Sequence, residues 1–326
     1  MSDANGEIGI APGGFPLGML PSPTDERDYR YPTYGKVFRS EELPEEYTCP
    51  DFPAAVDNQG AVSSCVAHAL GIISDWRESR ELKRPWEASR QYIYANRPDS
   101  WDHHGPGMVP RFALNNLRKY GVPQVGAWPG ITEYGKETWP ADRDLLATAA
   151  APHHIDTYVG VHPMFVPEIK SALITTGPIL YCAPVYSNFV PDANGIIPPP
   201  NGTLRGGHGM VLYGYKRDLF RIRNSWGKGW GMSGDCWMSW QYPAYELWGV
   251  TDAVTKRRRL VKLEIGSKTI YVDGKPVELD VAPFIKDGRT MLPLRGVSEG
   301  LGAVVDYGPK DAAVEWVTVL LEESPW

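Results

Sequence analysis

Asn58-Gln59-Gly60-Ala61-Val62-Ser63-Ser64-Cys65-Val66-Ala67 is the stretch whose reading decides the fold. From Cys65 to about Leu82, Val66, Leu70, Ile73 and Trp76 recur with helical spacing, and Ser63-Ser64 offer N-caps just before them. A cysteine at a helix start lies in the positive field of unsatisfied N–H groups, which is expected to favour the thiolate and lower its pKa. Gln59, six residues earlier on the feeding loop, can bring its amide to the same spot. With the backbone N–H of Cys65 it would offer two donors to a tetrahedral oxyanion. Taken alone, the stretch fits a buried helical cysteine equally well.

A second signal lies 143 residues further on, in Gly206-Gly207-His208-Gly209-Met210-Val211-Leu212-Tyr213-Gly214-Tyr215. Here a histidine opens an apolar strand. Sixteen residues beyond His208 stands Asn224, within Arg223-Asn224-Ser225-Trp226-Gly227-Lys228-Gly229-Trp230-Gly231. An asparagine carbonyl on the neighbouring strand can take one ring nitrogen, leaving the other for Cys65. Trp226 would shield that bond from water. The pattern of Cys, then His, then Asn-Ser-Trp-Gly is specific.

With these residues in hand, the chain over roughly 45–254 resembles the papain family of cysteine peptidases. The resemblance implies an α+β, two-lobed fold in which a helical lobe carries the nucleophile and a β-barrel-like lobe the base. Substrate then lies between them as an extended chain. It implies Cys65 as nucleophile, His208 as general base, Asn224 as the residue orienting that base, and Gln59 as oxyanion-hole glutamine. It also places Gly105-Pro106-Gly107, followed by Met108, on the glycine-rich wall of the substrate groove. Trp226 flanks the site. Tyr120-Gly121-Val122 and Gly177-Pro178-Ile179 match framework positions, and Pro110-Arg111-Phe112-Ala113-Leu114 follows the wall as in bacterial members.

Departures accompany the match. Val62 stands where the family usually has a half-cystine, and Val66 replaces the bulky aromatic after the nucleophile. The other cysteines, Cys49, Cys182 and Cys236, suffice for one bridge or none. His68, one turn beyond Cys65, would point alongside the nucleophile and reads as structural. His103-His104 and His153-His154 read as surface histidines, because adjacent side chains diverge and no ligand framework accompanies them. No metal and no cofactor is expected. Asn201-Gly202-Thr203 reads as a turn.

The chain has 326 residues and a net charge of −6, with 42% hydrophobic and 22% charged residues, so two domains of ordinary globular composition are expected. A mildly acidic chain without a long basic block is a poor nucleic-acid ligand. No apolar run approaches a membrane span. Residues 1–26 contain neither Lys nor Arg, so they do not read as a secretion signal. A cytoplasmic protein or a leaderless form of an exported bacterial one would fit.

Three segments follow. Residues 1–48 read as an extended arm rich in Pro and Gly, residues 49–254 as the peptidase-like domain, and residues 255–326 as a separate α+β module. In the domain, helices are expected over Pro110–Tyr120 and Ile169–Ile174, then strands over Ile179–Val185, His208–Tyr215, Leu219–Arg223 and Cys236–Trp240. The module's strands are Val261–Ile265, Thr269–Val272, Pro276–Leu279 and Val314–Leu321, with a turn at Asp273-Gly274 and a helix over Arg295–Leu301. Its runs Tyr271–Val277, Gly288–Arg295 and Glu299–Ala303 resemble the N-terminal domain of copper amine oxidases, which is not their copper-binding part. Residues 255–326 hold no His or Cys, which argues for an accessory role, with a protein or cell-wall partner, over redox chemistry. The arm's apolar Gly13–Pro21 stretch is expected to pack on the domain, over the cleft as a latch or behind the lobes as a brace.

The function expected is cysteine endopeptidase, acting on protein or peptide. Two alternatives are a cell-wall amidase or transamidase with the same Cys–His chemistry, and a binding protein on a retired peptidase scaffold.

Overall fold

A buried central helix organises the first of two units, Met1–Val254 and Thr255–Trp326. The computed structural model describes residues 9–26, 28–97, 106–128 and 143–251 of the first unit, and 261–272, 275–286, 289–293, 297, 303–308 and 316–321 of the second. The first unit's helices are α1 (Tyr31–Tyr34), α2 (Cys65–Leu82), α3 (Arg90–Ala95), α4 (Pro110–Tyr120), α5 (Arg143–Ala150) and α6 (Val166–Thr176). Its strands are β1 (Glu46–Thr48), β2 (Thr157–Val161), β3 (Ile179–Tyr186), β4 (Leu204–Lys216), β5 (Leu219–Arg223), β6 (Asp235–Ser239) and β7 (Glu246–Thr251).

Every residue of α2 from Cys65 to Asp75 is buried. A helix covered all round needs small or apolar side chains on every face, which Ala67, Ala69 and Gly71 supply between Val66, Leu70, Ile72 and Ile73. Ser64 is the N-cap but its side chain makes no capping bond, so the expected serine cap is absent. Lys83 ends the helix in the left-handed conformation. In α4 and α6, proline occupies the first turn, where a missing N–H costs nothing. Gly121 and Gly177 stop them at φ 73° and 82°.

The strands form one antiparallel sheet in the order β2-β7-β3-β4-β5-β6, with β1 added to β4. The long β4 is its spine. Cys182 faces Gly209 and Ala183 faces His208 across the β3–β4 ladder, which fixes the histidine's register. Three strands and three short helices were not anticipated from periodicity. Helices α1, α3 and α5 are too short to show a helical period. Strands β1, β2 and β7 are short and mix apolar with polar residues, and β7 pairs with strands remote in sequence.

Residues 9–48 pack along the first unit, and they are not extended throughout. Residues 9–17 form a small hairpin: Leu17 N–H bonds to Gly9 O and Ala11 N–H to Phe15 O, each at 2.8–2.9 Å. Gly13 and Gly14 turn it at φ 87° and 84°, values that side chains resist. Further on, Tyr31 is fully buried and its hydroxyl reaches Thr175 and Lys36 O, while Phe38 N–H bonds to Ser171.

In the second unit, β8 (Val261–Lys262), β9 (Thr269–Val272) and β10 (Lys275–Glu278) form a sheet in the order β10-β9-β8. Two hairpins accompany it: β11 (Phe284–Lys286) with β12 (Arg289–Met291), and β13 (Ala303–Gly308) with β14 (Trp316–Leu321). Ile270 and Leu279 are buried against Leu263, Val277 and Val297. The expected turn at Asp273-Gly274 lies outside the described residues, as does all but Val297 of the expected helix over Arg295–Leu301.

Candidate active site

Cys65 is the first residue of α2 and is completely buried. His208, on β4, is also completely buried. The N–H of Gly209, next in the strand, points at Cys65 Sγ from 3.4 Å. His208 Nε2 lies 2.8 Å from Asn224 Oδ1, an oxygen that also accepts the Ser225 N–H. That bond puts the ring hydrogen on Nε2 and the lone pair on Nδ1. Nδ1 is buried without a hydrogen-bond partner among the described residues. Trp226 stacks on the imidazole at 4.5 Å between centroids.

Gln59 is held from three sides. Its Oε1 accepts from the Ser225 hydroxyl at 2.7 Å, and its backbone N–H bonds to Ser225 O. One hydrogen of Nε2 goes to Val62 O at 2.8 Å. The other goes to Pro16 O, a carbonyl of the arm, at 3.0 Å. The loop 58–59 thus hangs on the segment that carries Asn224, which brings Gln59 to the head of α2.

The arm crosses this site. Phe15 stacks on Trp226 at 4.7 Å and 6°. Gly18 passes so close to the α2 N-terminus that an added Cβ would lie 2.1 Å from Ser63 O. Gly18 O accepts from Met108 N–H at 2.7 Å, Met19 N–H donates to Gly207 O, and Leu20 N–H donates to Met108 O. Gly107, at φ 103°, lets the wall approach that closely. Beyond it, Ser22 N–H bonds to Glu246, and Arg111 pairs with Asp25 at 2.6 Å. Gly105 and His103-His104 lie outside the described residues.

Burial reverses the expected ionisation of Cys65. The arm and the lobes exclude water, so the thiol is pushed up to about 11 even with backbone N–H groups of Gly209, Gly18 and Val66 favouring the thiolate. For the same reason His208 is brought down to about 4, against the opposing pull of Asn224. Desolvation outweighs the helix field while the cleft is covered.

Comparison with known proteins finds the same combination of helices and antiparallel sheet. The model of the papain family cysteine protease matches residues 53–247. The chain belongs to that family. It is a cysteine peptidase.

Among solved structures, xylellain, a cysteine protease from Xylella fastidiosa, is similar at 27% identity and a TM-score of 0.62, over 73% of this chain and 96% of that one. Procathepsin B S9 from Trypanosoma congolense, at 16% identity, shares the fold with a TM-score of 0.57 over 73% of this chain and 87% of its own. An uncharacterized peptidase C1-like protein of Acanthamoeba polyphaga mimivirus is 26% identical over 225 residues, 61% of this chain and 68% of that protein. The model of the copper amine oxidase N-terminal domain matches residues 250–316.

Other side chains singled out in the sequence fall elsewhere in this peptidase. His68 turns away to Asp57, with Nδ1 at 2.8 Å from its carboxylate. His153 is a partly buried partner of Glu78, and His154 bonds to Ala151 O. Cys49, Cys65, Cys182 and Cys236 are all free and buried. No helix among the described residues is long and apolar enough to cross a membrane. Sequence reasoning missed Ser225 as the clamp on Gln59, although it stands inside the Asn-Ser-Trp-Gly run, and it missed Asp57 and Arg90.

Proposed function

We propose that this papain-family protein is an endopeptidase that cleaves peptide bonds through Cys65, His208, Asn224 and Gln59, and that its own arm keeps it latent. Cys65 Sγ attacks the carbonyl carbon of an extended substrate. Gln59 Nε2 and the Cys65 N–H hold the resulting oxyanion. His208 passes the thiol proton to the leaving amine, which departs and leaves a thioester. Water, deprotonated by His208, then releases the acid and restores the thiol. Asn224 keeps the imidazole lone pair at Nδ1.

The observation that carries this reading is the bond from Gln59 Nε2 to the Pro16 carbonyl. A peptide carbonyl already occupies a donor beside Cys65, so the cleft accepts main chain there. Arm residues lie on both flanks, Phe15 at Trp226 and Met19 to Ser22 along Met108 and Glu246. A groove that holds chain on both sides of the sulfur suits an endopeptidase better than a trimmer of chain ends. The direct test is hydrolysis of a peptide library by the chain carrying Gly18→Ala, which displaces the arm, and by the same chain with Cys65→Ala added, with peptidoglycan as a parallel substrate. Cleavage of peptides lost in Cys65→Ala is expected. Turnover of peptidoglycan alone, or turnover that survives Cys65→Ala, would reject the mechanism.

A further inference from the structure

Beneath the site lies a buried charge cluster that the mechanism leaves unused. Arg90, at the start of α3, is its centre. Its Nε donates to Asp57 Oδ2 at 2.8 Å, and its terminal nitrogens reach both oxygens of Asp75 on α2 at 2.9 and 2.5 Å. His68 Nδ1, also on α2, meets the same Asp57 oxygen at 2.8 Å. Ala88 closes the cluster by giving its N–H to Asp75 and its carbonyl to Arg90. All four side chains are nearly removed from solvent, at 7–12% exposure.

Burying two carboxylates and a guanidinium is expensive unless each finds its partners. Here the partners are found. Burial by itself would raise Asp57, yet the bond from His68 and the charge of Arg90 hold it well below the usual carboxylate range. The helix even makes room for the guanidinium: at Gly71, on α2, an added Cβ would lie 2.7 Å from Arg90 Nε.

Asp57 is where this cluster meets the site. Its main chain faces the other lobe, for Gly227 N–H bonds to Asp57 O at 2.9 Å and Gln59 N–H to Ser225 O at 2.8 Å. Its side chain is anchored to α2 and α3. Two residues on comes Gln59. We infer that Asp57, clamped by Arg90 and His68, is a positioning residue that sets the Gln59 amide against the head of α2. This rests on Gln59 acting as oxyanion donor. Through it the nucleophile helix and the oxyanion donor share one rigid anchor, and misplacing such a donor by a fraction of an ångström loses transition-state stabilisation without weakening ground-state binding.

A mutant cycle tests it, run in the full chain carrying Gly18→Ala to open the cleft, with kcat and KM measured on a fluorogenic peptide. Asp57→Asn should lower kcat by about 10-fold or more and change KM by less than about twofold. Added to Gln59→Ala, it should cost less than about threefold further, because the donor it positions is gone. His68→Asn, whose amide can still donate to Asp57, should keep kcat within about threefold of the parent, whereas His68→Leu should behave like Asp57→Asn. If Asp57→Asn does not fold, the two His68 variants carry the same comparison. Equal losses with and without Gln59, or a loss confined to KM, would overturn the positioning role. A Gln59→Ala chain with parental kcat would instead overturn the oxyanion reading, and this inference with it.

Discussion

Gln59 Nε2 donates to the carbonyl oxygen of Pro16 at 3.0 Å, across 43 residues of sequence. One end of this bond belongs to the loop feeding the nucleophile helix, the other to the arm. Gly18, two residues further along, lies against Ser63, so the arm is seated at the residues where chemistry is proposed to occur. The covered cleft and the neutral Cys65–His208 pair are therefore one property, since the same chain that fills the groove removes the water that would stabilise the charged forms.

Gly18→Ala should unseat the arm while keeping every proposed catalytic side chain, and it withdraws the Gly18 N–H from Cys65. Its Cβ would meet Ser63 O at 2.1 Å, and both are backbone-bound and unable to swing aside. Initial rates on short peptides should rise by roughly 10-fold or more, as a contact worth a few kcal/mol is lost. Rates unchanged from the parent would show that the arm does not limit access.

The pH dependence of Cys65 alkylation should shift in the same variant. Burial holds the thiol at about 11 and His208 at about 4 in the covered state, so both groups are neutral between those values. Readmitting water stabilises thiolate and imidazolium, which lowers the first value and raises the second. Iodoacetamide should then label Cys65 faster near neutral pH in Gly18→Ala than in the parent. Coincident pH–rate curves for the two chains would contradict this account.

Gln59→Ala should lower kcat by roughly 10²–10³, the cost of one oxyanion donor. Asn224→Ala should leave part of the activity, because it orients the ring and transfers no proton. Steady-state kinetics on one peptide suffices for both, and an Asn224→Ala loss equal to that of Cys65→Ala would assign Asn224 more than orientation.

Tyr31→Ala should destabilise the first unit by about 3 kcal/mol or more, through the cavity and the Thr175 partner it abandons. The cleft half of the arm should stay seated, so activity per folded molecule is expected to be unchanged. Thermal unfolding and activity titrated against Cys65 labelling separate the two. Activation without loss of melting temperature would show that brace and latch are not independent.

A chain ending at Val254 should hydrolyse small peptides at close to the full-length rate, because the two units are separate compact bodies and every proposed catalytic residue lies in the first. A large drop in kcat on truncation would tie the second unit to catalysis.

The family and the α+β fold were written in short runs of sequence. Gln59 to Ala67 states a loop feeding a buried helix, and His208 followed by Asn-Ser-Trp-Gly states a strand and the segment just past the end of its neighbour; such readings need only local spacing and one resemblance. What local spacing cannot state is which distant groups meet. Nothing near Arg90 announces Asp57, and Gly71 discloses its purpose only once the guanidinium lies on it. The short β2 and β7 escaped because pairing partners, not their own residues, make them strands. Ionisation was decided by tertiary structure as well. A helix N-terminus by itself favours a thiolate, but the arm closes over Cys65 from 47 residues upstream, at Gly18, and desolvation then exceeds the field of the helix.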